Sequence, residues 1–456
     1  MNQKLSNLIQ QLSNIPKIYF IVNVLFFLIP IAFLLGNFAI NLMILLISSV
    51  SFIFFRKKLS DIKSYKIIYY FFAFFVMVII SSLIEFYNNP VESHLIKSVL
   101  YLRYFILFLA IVVIVNNKVL DIKYFFLSCL ICSVFTSIDI IYQFIFDKDL
   151  FGITSPYIQS FTGFFGTERV AGSYIQKFLI LGIFSLLLFN KNSKIINFLF
   201  IIFFVIGISG VVLSGNRMPL ILLLVFMFLS FVIIKKIRYG IVFSSIAMIP
   251  IYFFLINSHL PLKISHQSFS DNVRKMIPSV VSELNREYPE LKENEGNLFY
   301  QQYKHNEVDK KKYEILSFGS GHTNLFITGI DTWLDSPFIG SGIRSFRIKC
   351  KSKMHLPNRI CENHPHNYYL SIINTTGVVG LIFVLLGLGI VLKDRYRIEK
   401  FNNGGGKNLL ILSGLLLVLL IEFFPLRSSG SFFATANAFY IFLVLGLVTN
   451  KDLYKK

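Results

Sequence analysis

Ile67-Ile68-Tyr69-Tyr70-Phe71-Phe72-Ala73-Phe74-Phe75-Val76-Met77-Val78-Ile79-Ile80 is an unbroken apolar run, preceded by a connection carrying Arg56, Lys57, Lys58, Lys63 and Lys66. Extended over residues 66–86, it has the length that a helix needs to cross a bilayer, about 20 residues. The basic connection before it marks the cytoplasmic side. The rest of the chain repeats this alternation. With 55% hydrophobic residues, 51 Phe and only 15% charged residues, and a mean hydropathy of +0.66, the composition excludes an ordinary soluble globular protein. A net charge of +20 would suggest nucleic acid in a soluble chain. Here the Lys and Arg sit between apolar runs, where they orient a membrane protein, and no nucleic-acid partner is expected.

Working outward, apolar runs recur at 17–35, 38–55, 66–86, 97–115, 124–146, 170–189, 195–213, 218–234, 239–257, 370–392, 408–424 and 432–449. The expectation is an all-α polytopic membrane protein of about 12 transmembrane helices. The first run continues into further spans with no small-residue cleavage site after it, so it reads as a retained helix. Lys235, Lys236 and Arg238 fall on the same side as the first basic connection, as do Lys393, Arg395, Arg397, Lys400 and Lys407. This bias places both termini in the cytoplasm.

Between Asn257 and His364 lies a polar segment too long for a passive connector, one large external loop subdomain before the tenth helix. The organisation is therefore helices 1–9 in residues 1–257, the loop in 258–366 and helices 10–12 in 367–456. His259, His266, His305, His322, His355, His364 and His366 lie in this loop and His94 in another external one, so every imidazole faces outward. Residues Asp271 to Asn294 read as a solvated helix interrupted at Pro278. From Gly321 to Leu334, Phe326, Ile330, Trp333 and Leu334 recur at helical spacing. That pattern predicts an amphipathic helix on the bilayer surface, roofing a site. Cys129 and Cys132 lie inside a span as packing residues, whereas Cys350 and Cys361 share the external loop, where an oxidising compartment allows a disulfide.

Where this loop re-enters the membrane stands His364-Pro365-His366-Asn367-Tyr368. His364, His366, Cys361 and Glu362 match no recognised zinc spacing, and a His-x-His pair alone is a weak metal signal. The other chemistry open to an imidazole here is general base catalysis on a sugar hydroxyl, since it titrates near neutral pH. For His364 the plainer reading is a residue that starts a helix.

His366-Asn367, nine residues, then Gly377-x-x-Gly380 resembles the signature of the O-antigen ligase family, whose related members include O-antigen polymerases. Leu213-Ser214-Gly215-Asn216-Arg217 resembles the family's short Ser/Gly-Arg motif at a helix start. Trp333 to Phe346 resembles its pre-signature region, Glu422 to Asn437 its tail, and Arg169 to Gly172 its Arg-x-x-Gly element. Where the family often carries a second loop arginine, this chain reads Ser320-Gly321-His322.

The resemblance implies a membrane glycosyltransferase that takes a glycan from undecaprenyl diphosphate and attaches it to a hydroxyl of lipid A-core, with inversion and with neither metal nor other cofactor. The enzyme would sit in the bacterial inner membrane and work at its periplasmic face. A polymerase extending a lipid-linked glycan shares the chemistry and differs in acceptor. In this scheme His366 is the general base and Arg217 stabilises the leaving diphosphate. Arg169, His322, Arg344, Asn367, His364 and Arg103 are candidate substrate contacts. Within the spans, Lys177 and Asp139 are expected either to satisfy each other or to line a lipid groove with Arg103. A lipid-linked sugar transporter would also have twelve helices, but it should show mid-membrane polar groups and a repeat between halves, and neither is evident.

Overall fold

The computed structural model describes residues 2–56, 58, 65–90, 94–264, 266–267, 321–401, 407–428 and 430–449. The expected helix at 271–294, with Pro278, and His305 lie outside the described residues. Those described are all-helical, with no strand. The helices are α1 (Asn2–Leu34), α2 (Asn37–Phe55), α3 (Lys66–Asn88), α4 (Leu95–Asn116), α5 (Ile122–Phe146), α6 (Ala171–Phe189), α7 (Ser193–Leu213), α8 (Arg217–Ile233), α9 (Arg238–Asn257), α10 (Gly321–Leu334), the single turn α11 (Phe346–Lys349), α12 (Tyr368–Phe401), α13 (Lys407–Glu422) and α14 (Thr435–Val448). Nine of the described helices are long and apolar enough to cross a membrane; α8, α13 and α14 are apolar but shorter. Helices are the forced solution for such sequences, because a bilayer offers no water to satisfy exposed backbone groups.

Small residues set the closest approaches. Gly182 of α6 lies against the Leu130 backbone of α5, and Gly210 of α7 against Ser137. A side chain at either position would push the helices apart. Elsewhere aromatic rings fill the space: Phe71 and Phe75 of α3, Tyr101 and Tyr104 of α4 and Phe442 of α14 form one continuous cluster, mostly edge-to-face or tilted, with Tyr104 stacked on Phe442. The ring quadrupole favours these offsets over face-to-face stacking.

Two irregular segments enter the bundle. The first is the connection from α13 to α14. With 14 residues, α14 is roughly 21 Å long, short of a hydrocarbon core of about 30 Å. In the connection before it, Phe423, Arg427 and Phe432 are buried. The freed backbone finds side-chain partners. Asn367 Nδ2 donates to the carbonyls of Pro425 (2.9 Å) and Arg427 (3.2 Å), and the Tyr369 hydroxyl donates to that of Phe423 (2.6 Å).

The second is a break in α12 at Gly377, whose φ of 64° and ψ of −169° belong to no helix. The break frees two carbonyls and two amides, and Pro337–Gly342 takes up all four. Ser341 N donates to Asn374 O and Gly342 N to Thr375 O, both at 2.9 Å, while Val378 N donates to Pro337 O (2.9 Å) and Val379 N to Phe338 O (3.3 Å). Gly340 lies directly against the Gly377 backbone. Non-helical backbone at this depth is tolerated because protein, not lipid, completes its hydrogen bonds.

Candidate functional site

The chain reverses direction between successive helices, so the starts of α4, α6, α8, α12 and α14 and the ends of α3, α5, α7, α9 and α13 gather at one end of the bundle. Cross-links confirm the gathering: Phe161 N to Leu213 O at 3.0 Å, Asn216 Nδ2 to Arg169 O at 3.3 Å, and Ile343 N to Ser82 Oγ at 3.1 Å. The polar residues singled out in the sequence collect here in three groups.

The first group surrounds His366, just ahead of α12. His366 has a φ of 52°, a left-handed conformation uncommon for a side chain of this size. Next to it, Asn367 caps the helix: its Oδ1 accepts from Leu370 N (3.1 Å) while its amide group holds the α13–α14 connection. Its side-chain amide is thereby fully committed to positioning the turn. His366 Nε2 lies 2.9 Å from Glu362 Oε2. A carboxylate can only accept, so a neutral His366 donates from Nε2 and carries its lone pair on Nδ1. The His364 ring stacks on His366 at 4.2 Å between centroids. Burial, then the neighbouring His366, pushes the His364 pKa down to about 4, against the opposing pull of Glu362. His364 is therefore neutral near pH 7.

A disulfide joins Cys350 to Cys361, with 5.2 Å between Cα atoms. It fixes the residue before Glu362 against α11 and closes a small loop under the histidines. Just above, the Thr332 hydroxyl of α10 donates to Asn374 Oδ1 (2.6 Å), and Asn374 Nδ2 donates to Gly329 O (2.9 Å). Trp333 Nε1 donates to Pro337 O (3.0 Å). α10 is thus pinned to α12 by its buried polar residues, with Phe326 and Leu334 outside.

Arg217 and Arg169 form the second group. Gly172 packs against Ser214 and Asn216, so the Arg-x-x-Gly and Ser/Gly-Arg motifs meet at the starts of α6 and α8. The Arg169 guanidinium lies over the Tyr157 ring, 3.7 Å from its centroid. His266 joins them from beyond α9: its Nδ1 is 3.2 Å from the Tyr252 hydroxyl. Burial and the Arg217 charge both hold the His266 pKa below its ordinary value.

In the third group, Arg344 and Arg347 follow the Gly340-Ser341-Gly342 turn and stand beside the start of α4. Arg103 joins none of the groups. It turns back on its own helix, donating to Leu100 O (3.3 Å) and to the Tyr104 hydroxyl (2.9 Å). His322 falls at the start of α10, and its side chain lies outside the described residues.

The expected Lys177–Asp139 pairing does not occur. Asp139 accepts from the amides of Leu150 and Phe164, both at 2.9 Å. Lys177 instead meets Glu422 at 3.0 Å, and Glu422 also takes Arg427 (2.8 Å) and the Tyr368 hydroxyl (2.7 Å). The reason is placement: Glu422 and Arg427, forty and more residues past the signature, fold back beneath it. Sequence reasoning also missed Glu362 as a partner of His366. A carboxylate four residues before a histidine was the available signal, weak because no regular element spans the two. Among the described residues no three His, Cys, Asp or Glu side chains are grouped as a metal ion would require.

These features define a multi-pass helical membrane protein whose histidine and arginine side chains converge at one end of the bundle. Residues 201–385 match the Wzy_C family model, described as O-antigen ligase, a stretch that contains Arg217, Glu362, His366 and the Gly377 break. The match supports a membrane enzyme of the O-antigen ligase or polymerase type. No curated protein matches it.

Proposed function

We propose that the protein is a glycan ligase that transfers a glycan from undecaprenyl diphosphate to a hydroxyl of lipid A-core at the periplasmic face of the inner membrane. The observation that carries the reading is the Glu362–His366 pair at the head of the signature helix, on the same end of the bundle as Arg217. The acceptor hydroxyl oxygen attacks the anomeric carbon. The bond from that carbon to the diphosphate oxygen breaks, and its electron pair leaves with the polyprenyl diphosphate. The hydroxyl proton passes to His366 Nδ1, and Glu362 stabilises the imidazolium that forms. A single displacement opposite the leaving group inverts the anomeric centre. Arg217 faces charge that grows as the diphosphate departs, so it favours the transition state over the ground state. Arg169, held in place by its stacking on Tyr157, orients the same headgroup.

In this reading α8, α13 and α14 complete twelve spans, both termini are cytoplasmic, and residues 258–366 form the periplasmic part between helices 1–9 (1–257) and 10–12 (367–456). The test is transfer by purified protein from a polyprenyl diphosphate-linked glycan to lipid A-core. His366→Ala and Arg217→Ala should each remove most activity, and Glu362→Gln should lower kcat by about 10²-fold with KM little changed. Elongation of the lipid-linked glycan without transfer to lipid A-core would favour a polymerase, and movement of unchanged donor across liposomes a transporter.

A further inference from the structure

The third group has no role in this scheme. Lys97 lies in the first turn of α4, and Arg344 and Arg347 are presented by the segment after Gly342. Arg347 Nη2 donates to His94 Nε2 at 2.6 Å. An arginine can only donate, so His94 accepts here as a neutral imidazole and contributes no negative charge. The nearby carboxylate, Glu85, is taken by Lys349 at 3.1 Å, which also donates to Ser341 Oγ at 2.8 Å. Among the described residues no carboxylate pairs with Lys97, Arg344 or Arg347. Both arginines lie within electrostatic reach of Lys97. Burial and Arg347 hold the Arg344 guanidinium below its ordinary pKa.

Three cations are thus crowded where two general rules disfavour them. A lysine in the first helical turn opposes the positive end of the helix dipole. Basic clusters are also scarce on the side of a membrane protein away from the cytoplasm, the side assigned to this end by the loop charges. The position is built, not incidental: Arg344 adopts a φ of 63°, Gly342 is bonded to α12, and the Cys350–Cys361 disulfide anchors the far side. Backbone strain of this kind persists only where its surroundings hold it.

We propose that Lys97, Arg344 and Arg347 form a binding site for a phosphate monoester carried by a lipid or glycolipid, separate from the arginines at the starts of α6 and α8. Two guanidinium forks and an ammonium supply the donors that a phosphate dianion takes up. The binding itself is independent of the transfer reading; only the assignment of this phosphate to the glycolipid acceptor rests on it.

The test uses the full chain in nanodiscs, titrated with inorganic phosphate, dioctanoyl phosphatidic acid and dioctanoylglycerol. Phosphatidic acid should bind and dioctanoylglycerol should not. The exposed Lys97→Gln should weaken binding several-fold, the triple Lys97→Gln, Arg344→Gln, Arg347→Gln at least tenfold, and Arg217→Gln not at all. Equal binding by inorganic phosphate would assign the site to the phosphate group alone, and a strong preference for phosphatidic acid to a lipid phosphate. Binding unchanged in both Lys97→Gln and the triple variant, or lost equally in Arg217→Gln, overturns the proposal. If binding follows the prediction while no transfer activity is found, the site stands and the transfer reading falls. If transfer is found but the three cations prove irrelevant to binding, the reverse holds.

Discussion

Replacing Gly377 by alanine should uncouple the Pro337–Gly342 segment from α12. The conformation at φ 64°, ψ −169° is essentially confined to glycine and costs another residue roughly 1–3 kcal/mol. A Cβ there would also overlap the Phe338 carbonyl, forcing the segment away. Four backbone hydrogen bonds cross this junction, each with a net worth of about 0.5–1.5 kcal/mol. If strain is relieved at their expense, the loss is about 2–6 kcal/mol, a large share of the roughly 5–15 kcal/mol that separate native from unfolded states. The chain carries its own reporter, since its single tryptophan, Trp333, donates to Pro337 O at 3.0 Å. Gly377→Ala in detergent should show an altered Trp333 emission maximum and a lowered unfolding midpoint followed at that wavelength. Gly389→Ala is the control, because a Cβ there meets nothing within 4 Å on the same helix. It should be neutral or stabilising by up to about 1 kcal/mol. A Gly377→Ala protein with unchanged emission and a midpoint equal to that of Gly389→Ala would refute the junction as a source of stability.

Further expectations concern the buried charges, the histidines and the disulfide. Glu422→Leu leaves Lys177 and Arg427 buried without a carboxylate and should cost about 3–5 kcal/mol. Lys177→Met keeps the Arg427 and Tyr368 contacts to Glu422 and should cost clearly less, so equal unfolding midpoints would count against this ordering. His364 has its pKa lowered from 6.5 to about 4 in the folded chain, so below pH 6.5 the unfolded state binds more protons. Its contribution then destabilises the fold progressively as pH falls from 6.5 to 4. His364→Asn should flatten that part of a midpoint-against-pH curve, and an unaltered slope would reject the buried neutral imidazole. Serine at both Cys350 and Cys361 should cost about 3 kcal/mol by the loop-closure relation. In the unmodified protein a maleimide gel-shift assay under denaturing conditions should label only Cys129 and Cys132 before reduction.

Much of the bundle was legible because hydropathy acts locally. Every apolar run coincides with a helix, from 66–86 within α3 to 432–449 around α14, and the amphipathic pattern at Gly321–Leu334 is the helix α10. The length and solvation of each span are properties of its own residues, so periodicity and charge suffice to read them. Pairings across the chain were not legible in the same way. Lys177 finds its partner in Glu422, far downstream, and not in Asp139, the carboxylate nearest in sequence among the spans.

The sequence by itself determined a membrane-embedded helical protein and motifs that resemble those of the O-antigen ligase family, with His366, Arg217 and the Gly377-x-x-Gly380 run each visible as residue types at set spacings. Only the tertiary structure decided what each of these touches. It placed Glu362 against His366, turned Gly377 into the socket for Gly340, and set Arg347 beside the start of α4. The physical reason is range: burial in a bilayer is decided residue by residue, while ion pairs and backbone hydrogen bonds between distant segments depend on how helices pack, and that depends on all of them at once.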